Sequence, residues 1–137
     1  LDIPLIAIST LKAMAFAMAK KEKSTIYCPM IDARRMEVFS ALYDVNNNYV
    51  RGVQADVVDK NTYAEFLGKE IIFFGDGSLK CKEIISHKNA KFITGIHSSA
   101  KNLGILANSK LKIKDFVDVA YFEPYYLKDF VTGKKNV

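Results

Sequence analysis

The sequence predicts an α/β fold with a mixed five-stranded sheet flanked by helices. Three observations predict it. Half of the 137 residues are hydrophobic and 26% are charged, the balance of a folded globular chain. Three extended segments follow one another between residues 25 and 58, joined only by tight turns. After them, short apolar runs alternate with helix signals, the pattern of parallel strands joined by crossovers. At this length folding buries about two-thirds of the surface that the unfolded chain exposes, enough for a core without disulfide or metal staples.

The elements follow in order. Leu5 to Ile8 is a short apolar run, and Ser9 and Thr10 are capping residues ahead of Leu11, Met14, Ala15 and Met18 at helical spacing. The Met stripe reads as a buried face, because unbranched thioethers fill irregular core gaps. Thr25–Ile31 and Met36–Val45 are rich in β-branched and aromatic residues, and the connection at Ala33, Arg34 and Arg35 is tight, so they pair as a hairpin. In the second strand Val38 and Leu42 point one way and Phe39, Ala41 and Tyr43 the other. Both faces are therefore covered. Asn46, Asn47 and Asn48 tolerate left-handed backbone and turn the chain into a third extended run, Tyr49–Val58.

Thr62 and Glu65 have capping-box spacing ahead of Phe66 and Leu67, predicting a short helix that Gly68 closes. Ile71–Phe74 is a continuous apolar run, as a buried central strand requires, and Gly75, Asp76 and Gly77 turn out of it. Ser78 caps an expected helix carrying Leu79, Cys81, Ile84 and Ile85, and Lys91–Thr94 reads as a last short strand. A third helix is expected from Ser98 or Ser99. Its Ala100, Leu103, Gly104, Ala107 and Leu111 follow the 3.6 period, with Gly104 placed for close packing on the sheet. Pro124 in the aromatic stretch Tyr121–Phe130 argues for an extended, docked tail. From Thr25 the order is three strands, helix, strand, helix, strand, helix, that of the ribonuclease-H-like half-domain shared by the actin, hexokinase and Hsp70 superfamily. The expected division is 1–24 as a strand-helix segment leading from a missing upstream subdomain, 25–120 as the half-domain and 121–137 as an extended tail.

Composition narrows the function classes. The apolar stretch from Pro4 to Ala19 is broken by Ser9, Thr10 and Lys12 and stops short of the ~20 residues that a bilayer needs. No basic segment precedes it and no small-residue cleavage pattern follows, so no secretory signal fits and a cytoplasmic location is expected. The absence of an initiator Met points to a piece of a longer protein. A net charge of +5 is spread over short clusters (Lys20, Lys21, Lys23; Arg34, Arg35; Lys110, Lys112, Lys114; Lys134, Lys135) that read first as solvated faces, with no nucleic-acid motif beside them. Cys28 and Cys81 lack metal-ligand or redox spacing.

Candidate chemistry is sparse. A nuclease of this fold needs carboxylates converging on two metal ions. Asp32 and Asp76 follow the ends of two strands expected to run parallel, and Glu65 lies on the first crossover, but the first strand has no carboxylate in its body. A superfamily kinase needs two phosphate-gripping loops. Gly75, Asp76 and Gly77 form the one candidate anion-binding turn, which lacks the P-loop lysine and the full dinucleotide spacing. His87 and His97 stand apart from any Cys or carboxylate pattern, and Ser98 and Ser99 lack nucleophile-elbow glycines.

Four stretches resemble the bacterial tRNA threonylcarbamoyladenosine biosynthesis protein family TsaB, also called YeaZ. They are Ile31-Asp32-Ala33-Arg34-Arg35-Met36-Glu37-Val38 continuing to Ala41-Leu42-Tyr43; Ile3-Pro4-Leu5-Ile6 leading to Ser9-Thr10-Leu11; Phe73-Phe74-Gly75-Asp76-Gly77; and Glu123-Pro124-Tyr125-Tyr126-Leu127-Lys128. They occur in the family's order across nearly the whole chain. The resemblance implies the second of two actin-like subdomains and a non-catalytic scaffold. That scaffold pairs with the TsaD transferase, which acts with the ATPase TsaE on the adenosine beside the tRNA anticodon. It implies no cofactor on this chain, with ATP and metal belonging to the partner subunits, tRNA met indirectly, and self-pairing into a homodimer. Asp32, Arg34, Arg35 and Glu37 are then expected to form a charged cluster at the hairpin, which either orients the tip or touches a neighbouring subunit. The alternatives left standing are a metal-dependent nuclease and a kinase subdomain.

Overall fold

The structure is a computed structural model and describes residues 2–128. One sheet organises it, with strands β1 (Ile26–Asp32), β2 (Glu37–Tyr43), β3 (Tyr49–Val57), β4 (Ile71–Phe74) and β5 (Ala90–Ile93) in the order β3-β2-β1-β4-β5. β1, β2 and β3 are antiparallel neighbours, whereas β4 runs parallel to both β1 and β5. This is the mixed five-stranded sheet that the order of apolar runs predicts. Pro29 lies inside the central strand β1, a position usually closed to proline because the ladder loses a donor. The ladder accommodates it: paired residues of β1 and β2 resume at Met30 after Tyr27, while the parallel ladder runs through Pro29 opposite Phe74.

Alternation in the strands feeds two apolar layers. One face carries Cys28, Met30, Val38, Leu42, Ile71 and Phe73, covered by Tyr63, Leu67, Cys81 and Ile85. Phe73 is sandwiched between Tyr63, edge-on at 5.3 Å, and Phe92, stacked at 5.0 Å. The opposite face carries Tyr27, Ala41, Tyr43, Ile72 and Phe74. Against it lies helix α1 (Thr10–Ala19), which presents Leu11, Met14, Ala15 and Met18, the predicted stripe. Ser9 caps α1, accepting a hydrogen bond from the Lys12 N–H at 3.5 Å. Both free cysteines are buried in the first layer, and burial pushes their thiols up.

The crossovers differ from expectation. Neither is an α-helix: residues Ala64–Phe66 and Leu79–Cys81 form single 3₁₀ turns. The Thr62 hydroxyl serves an Asp59 turn, accepting from the Asp59 N–H at 2.8 Å and donating to its carboxylate at 2.9 Å, so no capping box forms with Glu65. The Ser78 hydroxyl likewise turns back to the Gly75 carbonyl at 2.8 Å and caps nothing. Helix α2 (Leu103–Lys112) follows a 3₁₀ turn capped by Ser99, as expected, but it carries no buried residue. Gly104 is exposed, with nothing within 4 Å of where a Cβ would stand, so the expected close packing on the sheet is absent. The run Leu5–Ile8 contributes a single bridge, Leu5 to Val117, in place of a strand. In the aromatic stretch Tyr121, Tyr125 and Tyr126 are exposed and do not dock, while Phe130, Lys134 and Lys135 lie outside the described residues. Among the described residues no helix is long and apolar enough to cross a membrane.

Candidate functional site

The carboxyl ends of β1 and β4 lie side by side, and the charged residues singled out in the sequence converge there. The chain leaves β1 through a turn in which Ala33 N–H donates to the Glu37 carbonyl at 3.1 Å and Glu37 N–H to the Arg34 carbonyl at 3.0 Å. Arg34 and Arg35 both have left-handed backbone, with φ of 71° and 49°, a region that side chains other than Gly, Asn and Asp seldom enter. The Asp32 carboxylate holds this turn by accepting the Arg34 N–H at 2.8 Å.

Three carboxylates meet here and each is engaged. Asp32 Oδ1 accepts from Lys80 Nζ at 2.5 Å, and Lys80 also donates to the Glu37 carbonyl at 2.7 Å. The Lys80 hydrogen bond, and after it the Arg34 N–H, hold the Asp32 carboxyl below its ordinary range. Asp76 Oδ1 accepts the Asp32 N–H at 3.0 Å, tying the β4 exit turn to the end of β1. Glu37 is paired with Lys128. The turn's ion pairs therefore come from Lys80 and Lys128, where Arg34 or Arg35 was expected. Both arginines are exposed and have no ion-pair partner among the described residues.

The Gly75-Asp76-Gly77 turn is packed against β1. Gly75 has φ 101°, and a Cβ there would stand 2.3 Å from the Met30 carbonyl oxygen; one at Gly77 would meet Asp32 N at 3.0 Å. Gly77 N–H donates to the Met30 carbonyl at 3.1 Å and Ser78 N–H to the Gly75 carbonyl at 3.1 Å. Two of the donors that an anion would use are thus spent within the chain. Glu65 does not join Asp32 and Asp76. It shares a groove with Ile26, at the start of β1, a strand length of about 20 Å from Asp32. Among the described residues no group of three or more His, Cys, Asp or Glu side chains is placed to hold a metal ion. His87 and His97 are exposed loop residues.

A second polar cluster escaped the sequence reading. On the first apolar face, Arg51 grips Asp56 with two nitrogens at 2.5 and 3.2 Å and donates to Ser40 Oγ at 2.7 Å. Ser40 and Tyr63 both donate to Asp56 Oδ2, at 2.5 and 2.9 Å. Burial pushes the Tyr63 phenol up, and the Asp56 charge adds to that. For Arg51 burial works downward, but its hydrogen bonds to Asp56 and the charge of that carboxylate outweigh it and raise the guanidinium. Alternation along β3 would put Arg51 and Asp56, five residues apart, on opposite faces; the register shift between the Ser40 and Leu42 pairs brings them to one face, so the sequence carries no local signal for the pair. Lys80, 48 residues from Asp32, carries none either.

The comparisons agree with this architecture. The family model described as "TsaD: tRNA N6-adenosine threonylcarbamoyltransferase" matches residues 1–134. The fold is similar to that of an uncharacterized protein with similarity to peptidase YEAZ from Pseudomonas aeruginosa, with a TM-score of 0.71 and 19% identity over 91% of this chain and 59% of that one. It is also similar to YeaZ from Pseudomonas aeruginosa, with a TM-score of 0.63 and 19% identity over 90% of this chain and 59% of that one. The chain therefore spans 59% of the length of either neighbour. No curated protein matches it.

Proposed function

Since the chain belongs to the TsaD family, described as tRNA N6-adenosine threonylcarbamoyltransferase, we propose that it serves threonylcarbamoyl transfer to the adenosine beside the tRNA anticodon as a non-catalytic scaffold paired with the TsaD transferase. One observation carries the reading. At the strand ends where this fold collects catalytic acids, every carboxylate is already engaged: Asp32 by Lys80, Asp76 by a backbone N–H and Glu37 by Lys128. These bonds hold the turn in shape. The site builds a rigid hairpin tip, and a rigid tip is what a recognition surface needs. The similarity to YeaZ structures supports the same half-domain architecture.

In this reading ATP and metal act on the partner subunits, TsaE supplies the ATPase, and a second copy of the chain competes for the same exposed faces. The test is pull-down with TsaD beside a reconstituted threonylcarbamoyl-transfer assay containing TsaD and TsaE. The chain is expected to bind TsaD and raise transfer, and to show neither heat with ATP in calorimetry nor RNA cleavage with manganese. Transfer unaffected by the chain, together with no TsaD binding, would overturn the proposal.

A further inference from the structure

We propose that Arg34 and Arg35, at the tip of the β1–β2 hairpin, grip the phosphodiester backbone of a structured RNA. The choice of RNA rests on the functional reading above; the anion-binding character of the tip rests on geometry.

Both arginines occupy left-handed backbone at φ 71° and 49°. That region is disfavoured for side chains with a Cβ, whereas Gly and to a lesser degree Asn enter it readily. The turn is over-determined by its neighbours: the Asp32 carboxylate on the Arg34 N–H, and two backbone bonds between the strands. Strain held in place by surrounding structure is a mark of function when the strained residues do something that the relaxed ones could not. A guanidinium supplies five donors in a planar fork matched to phosphate oxygens. Gly and Asn supply no charge at all.

The electrostatic arrangement leads to the same ligand. Three carboxylates lie within this cluster. Lysines occupy two and a backbone N–H the third, and the two guanidinium groups remain exposed without an acidic partner among the described residues. The two lysines balance Asp32 and Glu37, Asp76 keeps its charge on the β4 exit turn, and the two exposed guanidinium groups leave the cluster net positive. The cluster lies at the carboxyl ends of the parallel pair β1 and β4, the side of an open sheet on which ligands bind. The chain's net charge of +5 draws a polyanion toward it.

The test is fluorescence anisotropy of a labelled tRNA transcript titrated with the full chain at several salt concentrations. Arg34→Asn with Arg35→Gly removes both charges using residues that suit left-handed backbone, and circular dichroism melting confirms that the variant folds. We expect it to bind at least tenfold more weakly, with the slope of log affinity against log salt smaller by about 1.4–1.8, the value for two lost phosphate contacts. Lys101→Ala with Lys112→Ala removes the same charge from α2 and its approach, and is expected to change affinity less than twofold. Equal losses in the two variants would reduce the tip to general charge and overturn the proposal. So would an unchanged affinity in the tip variant, or a wild-type chain that ignores RNA and binds polyglutamate, which marks an acidic protein surface as the ligand. A tip variant that keeps RNA affinity but loses TsaD in pull-down overturns this inference alone and leaves the scaffold reading standing.

Discussion

Two polar clusters that share strand β2 behave as opposites. Ser40, Arg51, Asp56 and Tyr63 form a network in which Asp56 is met by Arg51, Ser40 and Tyr63, all shielded by the loop that carries Tyr63. Asp32, Arg34, Arg35, Glu37, Asp76 and Lys80 form the other, at the hairpin tip, where the acids are engaged and the arginines have no ion-pair partner among the described residues. Both combine arginine with aspartate. Burial separates them: inside, an unpaired charge is prohibitively costly, so every charge finds a partner; outside, water tolerates a spare cation, which is then available for recognition. One cluster holds the fold and the other leaves two guanidinium groups at the surface.

Breaking the buried cluster should have the largest effect. Asp56→Ala leaves the largely buried Arg51 cation uncompensated and is expected to destabilise the chain by up to about 3–5 kcal/mol in urea denaturation; a loss below about 1 kcal/mol would show that water reaches the network. Gly75→Ala comes next. Backbone at φ 101° alone costs a side chain about 1–3 kcal/mol, and the approach to the Met30 carbonyl adds to it. The same denaturation series is expected to show that loss without a change of fold.

At the tip the sign reverses. Arg35→Gly relieves left-handed backbone and is expected to stabilise by up to about 1 kcal/mol while weakening binding. If stability falls and binding is untouched, the tip is a structural turn only. The smallest effect belongs to Asp32. Its folded pKa lies below the ordinary value of 3.8, so the stability it contributes is fully present above that value and is lost as pH falls through the folded pKa. Thermal melts between pH 6 and pH 3 should show wild type and Asp32→Asn converging at the acid end; parallel curves would remove Asp32–Lys80 as a contributor.

Much of this molecule can be read from its residues, and the failures share a cause. The α1 stripe, the hairpin with its Arg34–Arg35 turn, the Asn47 turn and the buried run Ile71–Phe74 are all local patterns whose period or turn chemistry has one reading. The crossovers were misread because Thr62 and Ser78 hydroxyls have two local uses, capping a helix or closing a turn, and spacing alone does not choose between them. For α2 the period was legible but its partner was not: amphipathicity says that a face is apolar, not what covers it. At the site, Asp32 and Asp76 could be brought together because both follow apolar strands, whereas Lys80 depends on how the β4 exit turn folds back over the end of β1.

The most direct test of the scaffold account is threonylcarbamoyl transfer by TsaD and TsaE at saturating chain, with Asp32→Asn and Asp76→Asn combined. Amides keep the oxygen acceptors on the Arg34 and Asp32 N–H groups but abolish carboxylate chemistry. The account predicts transfer within about twofold of wild type and unchanged binding to TsaD. Transfer abolished while TsaD binding and folding remain intact would contradict it, because the chain would then be supplying catalytic acids of its own.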